Sequence, residues 1–374
     1  MKIAHVRARL LEATPEVGVT FGIGAFTTFS MVLVEITTDD GLVGYGEAIA
    51  RRGGMMTAAA VESLLADVLV GEDPANVEGL WVRMVDRLRR WGHSGGVVIE
   101  AISGVDVALW DLIGKAYGLP VWRLLAGAGR TEVPCYASSV YINEIDVMVA
   151  EALDQQRRGF SELKVKIGRP EHEGGQRRDL EALAAIREAV GDSMALYVDA
   201  NGAYDAAGAI RMGRAMEALG IRWFEEPVPP DDLAGYERVH AMTSTPLARG
   251  ETDFGLFSMR DVIERRLVDV VQPDLARCGG ITAARHVWTL TYGANLAFAP
   301  HTGFSGGLSH LAALHVAAAA PNLLSLEYMY IDNPLREIFV GGYPMARDGR
   351  VTVPDGPGLG LDIDRDKVAA YAVG

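Results

Sequence analysis

The spacing of apolar and polar positions divides the chain into two unlike parts. Two strand-like runs open it, IAHVRARLLE and SMVLVEITTDDGLVGYGEA, and Asp40-Gly41 marks a hairpin turn inside the second. Three helical patterns follow, over roughly 55–70, 75–91 and 97–117, the last with Ile102, Val105, Ala108, Leu109 and Leu112 on one face. These elements predict an α+β unit with an antiparallel sheet over residues 1–125. After Gly127 short apolar runs alternate with longer amphipathic segments, the signature of parallel strands joined by crossover helices. The runs are VPCYASS, ELKVKI, ALYVDA, IRWFEE, PLARGE, VDVVQPD, LAFAPH and LLSLE. Eight strands in about 200 residues predict a (β/α)8-type barrel over 126–340 rather than an open doubly wound sheet. Such a sheet would more often carry a Gly-rich phosphate turn after its first strand, and here that strand ends in Ala-Ser-Ser-Val. The turn-rich tail, 341–374, is expected to pack back on the N-terminal unit.

Composition narrows the class. The 374 residues are 49% hydrophobic and 22% charged, ample for a large core. A net charge of −14, with neither Lys nor Arg in a block, argues against nucleic acid or an anionic membrane as partner. MKIAHVRARLLE lacks a signal-peptide apolar stretch, and no run of about 18 apolar residues suggests a span. A cytoplasmic protein is the simplest expectation. Cys135 and Cys278 are too few and too far apart for a disulfide framework or thiolate cluster, and read as reduced packing residues.

The chemistry lies where the runs end. In a barrel, functional groups project from the C-terminal ends of the strands. Asp199, Glu225, Glu251, Asp274, His301 and Glu327 close consecutive runs, 26, 26, 23, 27 and 26 residues apart. Helix caps would favour Ser, Thr, Asn and Asp, and three of these six are Glu. Asp199, Glu225 and Glu251 fall on neighbouring strands, where oxygen-only ligation favours Mg²⁺ or Mn²⁺ over Zn²⁺. The competing reading pairs these carboxylates with buried arginines such as Arg249. Glu226 should point to the other face of its strand and be structural. Lys164 and Lys166, two apart, share a face, and their proximity to each other and to a cation should depress their pKa values and suit one to act as a base. Asp274 and His301 end adjacent strands, as a carboxylate-imidazole dyad would. The other histidines have no comparable context. No HxH of a barrel metallohydrolase is present.

These residues resemble the enolase superfamily, specifically its mandelate racemase subgroup. The carriers are ELKVKIG, YVDANGAY, WFEEP, ARGET, QPDLARCGG, APHTG and the Glu of SLEYM, in that order, with DDGLVGYGE, ISGVDVALWDLIGKAYGLP and PDGPGLGLDID similar to the family's capping domain. The resemblance implies that Asp199, Glu225 and Glu251 hold one Mg²⁺ and that Lys166 is the base on one face of the substrate. His301 with Asp274 would be the acid/base on the other face. Lys164 would lie near the substrate carboxylate, and Glu327, protonated through a raised pKa, would hydrogen-bond a carboxylate oxygen. The implied reaction removes the α-proton of a small carboxylate, and a homo-oligomer is expected. Dehydration of a sugar acid to a 2-keto-3-deoxy acid is the leading outcome; racemisation or epimerisation of a 2-hydroxy acid, and cycloisomerisation of an aldarolactone, suggested by IDNPLRE, are the alternatives. Specificity is expected from loops at 17–28 and 48–56, where Phe21 and Phe26 either wall off water or accept an aromatic substrate, and Arg51 and Arg52 either pair with a distal carboxylate, which would point to a diacid, or are exposed loop arginines. Asn201 and Ser138 are further candidate substrate contacts. Asn201 stands where some sugar-acid dehydratases of the family carry a second catalytic His, a departure that counts against those activities.

Overall fold

The computed structural model describes all residues except 17, 22, 23, 52, 127, 128 and 374. The N-terminal sheet has strand order β1 (Ile3–Ala13), β4 (Phe29–Thr38), β5 (Val43–Ile49), all antiparallel, with a small hairpin of β2 (Val19–Phe21) and β3 (Gly24–Phe26) beside it. The helix Val97–Tyr117 lies across β5 and is apolar almost all round, as befits a helix covered on both sides. Its approach depends on missing side chains: a Cβ at Gly46 would stand 2.1 Å from the Gly104 carbonyl oxygen. The segment expected as one helix over 55–70 is interrupted. Helical turns Gly54–Ala60 and Ala66–Leu69 flank a π turn at Val61–Leu65, an insertion that hydrophobic periodicity does not reveal.

All eight expected barrel runs are strands: β6 (Glu132–Val140), β7 (Glu162–Lys166), β8 (Ala195–Asp199), β9 (Trp223–Glu225), β10 (Leu247–Arg249), β11 (Val270–Val271), β12 (Ala297–Phe298) and β13 (Leu326–Met329). They pair in parallel from β12 down to β6 and on to β13. A bridge between Phe298 and Leu323 closes the ring. Helices Ile145–Arg157, Gly175–Val190, Ala206–Glu217, Leu233–Met242, Gly255–Glu264, Gly280–Gly293 and Leu308–Ala319 connect them, and a 3₁₀ turn, Pro334–Ile338, is the first element after β13. The result is a modified TIM barrel with an N-terminal α+β unit. The tail divides its contacts. β14 (Arg350–Thr352) pairs antiparallel with β6 of the barrel, whereas the segment after helix Arg365–Tyr371 bonds back to β1, Val373 N donating to Leu10 O at 2.9 Å. No helix among the described residues is long and apolar enough to cross a membrane. Cys135 and Cys278 are buried free thiols.

The two parts are joined by carboxylates that cap barrel helices from outside. Glu47 on β5 accepts from Gly306 N at 2.6 Å and Ser309 N at 3.0 Å, at the start of helix Leu308–Ala319. Asp106 accepts from Thr282 N at 2.9 Å and Thr282 Oγ1 at 2.6 Å, in the first turn of helix Gly280–Gly293. Each satisfies donors that a helix leaves open at its N-terminus and meets the positive end of its dipole. Both helices follow the strand ends that carry Asp274 and His301, so the N-terminal unit is tied directly to the site.

Candidate active site

Side chains fill the barrel interior in layers, and the site is the top one. Below it, Tyr197 and Trp223 stack with ring centroids 3.5 Å apart, and Tyr136 meets both edge-on at 5.2 and 5.3 Å. Lys164 is in register with Tyr197, and its ammonium lies 5.5 Å from the Tyr136 ring centroid. Two residues on, Lys166, Asp199 and Glu225 form a row across β7, β8 and β9. The period of two along each strand thus sets an aromatic floor under a charged layer.

All of the expected strand-end groups are buried and converge. Lys164 Nζ lies 2.8 Å from Glu225 Oε1, 2.8 Å from Glu327 Oε1 and 3.7 Å from Asp199 Oδ2. Lys166 pairs with Asp199. Glu225 also accepts from Gln272 Nε2 at 2.8 Å and Trp223 Nε1 at 3.2 Å. Neither donor was singled out from the sequence, although Gln272, two before Asp274, has the spacing of a same-face neighbour. Asn201 donates its backbone N–H to Asp199 Oδ1 at 2.8 Å, and its Nδ2 lies 3.4 Å from both Asp199 and Glu251. Burial opposes the Lys164 charge, but Glu225 and Glu327 outweigh it and hold its pKa well above the ordinary value. The expected depression is not found for Lys164, because carboxylates rather than a second ammonium are its nearest neighbours.

His301 Nδ1 lies 2.7 Å from Asp274 Oδ2. Gly303 N stands 3.2 Å from the same nitrogen, but the carboxylate can only accept, which places the imidazole proton on Nδ1. Nε2 faces Glu251 and, at 3.3 Å, Glu327. Burial disfavours the imidazolium, yet Glu327 and Glu251 raise the His301 pKa to about 10. Glu327 departs from expectation. Burial pushes its pKa up, but His301 and Lys164 prevail and hold it ionised, while Thr302 N donates to Oε2 at 2.8 Å.

One further placement differs from the sequence reading. Glu226, expected on the far face, has φ of 41° and lines the same cleft as Asn201 and Glu251; burial, then Glu251, raise its pKa to about 8. Arg249 does not neutralise the strand-end carboxylates, because its guanidinium is bound to Asp253 at 2.7 Å. Ser138 is buried in β6 in register with Lys164 and Met329. Arg51 reaches Glu251 Oε2 at 3.4 Å and lines the cleft. Arg52 and the side chain of Phe21 lie outside the described residues.

The donor set suits a hard divalent cation. Six carboxyl groups, Asp199, Glu225, Glu226, Glu251, Asp274 and Glu327, share a buried site with four cationic groups, Lys164, Lys166, Arg51 and His301. Burial and carboxylate neighbours raise Glu225 to about 7 and Glu226 to about 8, the mark of oxygen donors crowded together without full neutralisation. Glu225, Glu251 and His301 offer ligand atoms within 4.8 Å of one another. Asp199, the third carboxylate of the expected set, adjoins them through its in-register pairing with Glu225. Oxygen donors crowded in this way fit Mg²⁺ or Mn²⁺.

A cleft of about 620 Å³ opens over the layer, between Phe26, Ile49, Ala50 and Arg51 of the N-terminal unit and Asn201, Glu226, Glu251 and Arg277 of the barrel. Phe26 stacks on Phe304 at 4.7 Å between centroids, and Phe304 follows His301 by three residues with φ of 52°. The hairpin of β2 and β3 is therefore pinned to the loop that carries the imidazole.

Residues 6–126 match the family described as mandelate racemase / muconate lactonizing enzyme, N-terminal domain, and residues 147–367 match enolase C-terminal domain-like. The D-galactarolactone cycloisomerase of Agrobacterium fabrum is 36% identical over 382 residues, covering 99% of each chain. The arabinonate dehydratase of Saccharolobus solfataricus is 36% identical over 341 residues, covering 90% of this chain and 89% of that one. Among solved structures, a racemase from Streptomyces coelicolor A3(2) with bound magnesium superposes with a TM-score of 0.90 at 31% identity, covering 99% of this chain and 100% of that one. The chain is an enzyme-family protein of the enolase superfamily and belongs to its mandelate racemase and muconate lactonizing enzyme family.

Proposed function

We propose that the protein removes the α-proton of a sugar acid with the help of Mg²⁺ and then eliminates the β-hydroxyl as water, giving a 2-keto-3-deoxy acid. The observation that carries this is that Lys166 and the Asp274-His301 dyad each adjoin a different carboxylate of one buried cluster, Asp199 and Glu251. Two proton-transfer groups thus flank one substrate carboxylate position. The cycloisomerase and dehydratase relatives support a sugar-acid substrate class, and the magnesium-bound racemase supports the metal.

Asp199, Glu225 and Glu251 would hold the cation. When bound, it supplies Lewis-acid stabilisation of charge on the substrate carboxylate. Lys164, fixed between Glu225 and Glu327, presents a permanent positive charge to the same oxygens. Lys166 takes the α-proton at Nζ. His301, its Nδ1 proton held by Asp274, delivers a proton from Nε2 to the departing hydroxyl. Glu327 keeps the imidazole and Lys164 in place through its two oxygens. The N-terminal unit excludes water over the cleft, with Phe26 and Phe304 as the apolar wall.

The end-to-end match to a cycloisomerase favours a second reading, in which the β-leaving group is the ring oxygen of an aldarolactone. A screen of acid sugars and their lactones with Mg²⁺ separates the outcomes by mass. Dehydration gives a keto acid lighter by one water. Lactone opening gives a keto acid isomeric with its substrate, and racemisation gives an isomer without a keto group. Keto-acid formation from open-chain acids supports the first reading; its absence from every one of them contradicts it.

A further inference from the structure

The cleft carries two guanidinium groups whose hydrogen-bonding capacity the protein leaves partly unused. Arg51 follows β5 and Arg277 lies in the turn after β11, and both line the cleft. Arg277 is held in place: Nε lies 3.2 Å from Glu100 Oε1, and its plane sits 4.8 Å from the Phe254 ring centroid. Arg51 is held by Glu251 at 3.4 Å. Yet Nη1 of Arg277 and Nε of Arg51 are buried without a hydrogen-bond partner among the described residues. A guanidinium only donates, so its missing partner must be an acceptor, and the best geometric match is a carboxylate bound by two parallel N–H groups. The cleft's own carboxylates reach other atoms: Glu100 meets Nε of Arg277, Glu251 meets Nη2 of Arg51 and His301, and Glu226 meets Thr252. Leaving such donors buried is unfavourable unless something else meets them.

We propose that Arg277, supported by Arg51, binds a second carboxylate at the far end of the substrate, so that the substrate class is an open-chain sugar diacid. This rests on the reaction proposed above and specifies its substrate. One carboxylate lies at the strand ends beside Lys164; the other lies at the mouth of the cleft, against a guanidinium already oriented by Glu100 and Phe254. Because the side chain is preorganised, the second carboxylate adds affinity and discrimination at small entropic cost. Arg277 is a specificity-determining residue and takes no part in proton transfer.

The test uses matched aldarate and aldonate pairs that differ only at the terminal carbon, galactarate with galactonate among them, together with the corresponding aldarolactones. Turnover and α-hydrogen exchange in D₂O are measured with Mg²⁺ for the full chain and for Arg277→Met and Arg277→Lys. The expected result is a kcat/KM at least about tenfold higher for the diacid of a pair, as a charge-assisted bidentate contact supplies. Arg277→Met should collapse that ratio through KM, and Arg277→Lys should recover part of it. Melting temperatures and circular dichroism of both variants check folding, and the ratio within a pair is insensitive to a uniform loss of active protein. The proposal is overturned if aldonates or lactones react as well as aldarates, or if Arg277→Met lowers both members of a pair equally. Exchange with monoacids alone would overturn the diacid site and leave the reaction standing. Exchange with no acid at all would overturn both.

Discussion

Asp274 and His301 meet across an isolated parallel bridge between the ends of β11 and β12, with Oδ2 2.7 Å from Nδ1. The carboxylate fixes which imidazole nitrogen bears the proton and leaves Nε2 for the substrate. Asp274→Asn keeps the shape but can present an N–H to Nδ1, favouring the wrong tautomer. The expected loss in kcat is about 10²–10⁴-fold with little change in KM, read by steady-state kinetics alongside a melting curve. An unchanged kcat would remove the dyad from the mechanism.

Metal binding should be visible without turnover. Mg²⁺ at about 100 times its dissociation constant should stabilise the protein by about 2.7 kcal/mol, seen as a higher melting temperature. Glu251→Gln, which turns a proposed anionic ligand beside His301 and Arg51 into a neutral amide, should lose most of that Mg²⁺-dependent rise. Chelation should abolish activity and added Mg²⁺ restore it. Full activity after exhaustive chelation would contradict the assignment.

The carboxylates that join the two units predict a pH dependence of stability. Burial raises Glu47 and Asp106 each to about 7, against the usual 4.5 and 3.8. A carboxyl whose folded pKa is raised holds its proton more tightly in the folded state. Its contribution is therefore greatest below the unfolded pKa and is lost as pH rises from about 4 through about 7. The loss is on the order of 3 kcal/mol per group. In Glu47→Gln the melting temperature should depend less steeply on pH between about 5 and 8 than in the parent chain. The slope is the readout, since the absolute value also reflects the altered cap. An identical slope in both proteins would sink the prediction.

Gly46→Ala should destabilise the protein by about 1–3 kcal/mol or more, through overpacking between β5 and the helix Val97–Tyr117. The added methyl would stand 2.1 Å from a backbone oxygen, which cannot rotate away. Denaturant unfolding measures the cost, and a loss below about 0.5 kcal/mol would contradict it.

Much of this was legible in the sequence because a barrel repeats. Each βα unit returns a strand end to the same rim, so Asp199, Glu225, Glu251, Asp274, His301 and Glu327 could be read from their spacing, and Lys164 with Lys166 from the period of two. The contacts that complete the site could not. Glu47 finds Ser309 and Asp106 finds Thr282 across separations of 262 and 176 residues, with no local pattern to announce them. The same holds for Arg277 on Glu100, 177 residues apart. Glu226 escaped because alternation fails once the backbone turns to positive φ at the strand end. The ionisation of Glu327 escaped because the resemblance implies a protonated acid beside the substrate carboxylate, whereas in the folded chain His301 and Lys164 outweigh burial.

The central claim is that Lys166 removes the proton at the α-carbon and His301 protonates the hydroxyl that leaves the neighbouring carbon. The most direct measurement is hydrogen exchange at the α-carbon, by NMR in D₂O with Mg²⁺ and a substrate identified by the acid-sugar screen. With the parent chain, deuterium should enter the α position of recovered substrate and C3 of the keto acid, where the enol takes up a solvent hydron. Lys166→Ala should slow that step by about 10²–10⁴-fold, and His301→Asn should block product formation to a similar degree. Undiminished turnover in both variants would contradict the claim.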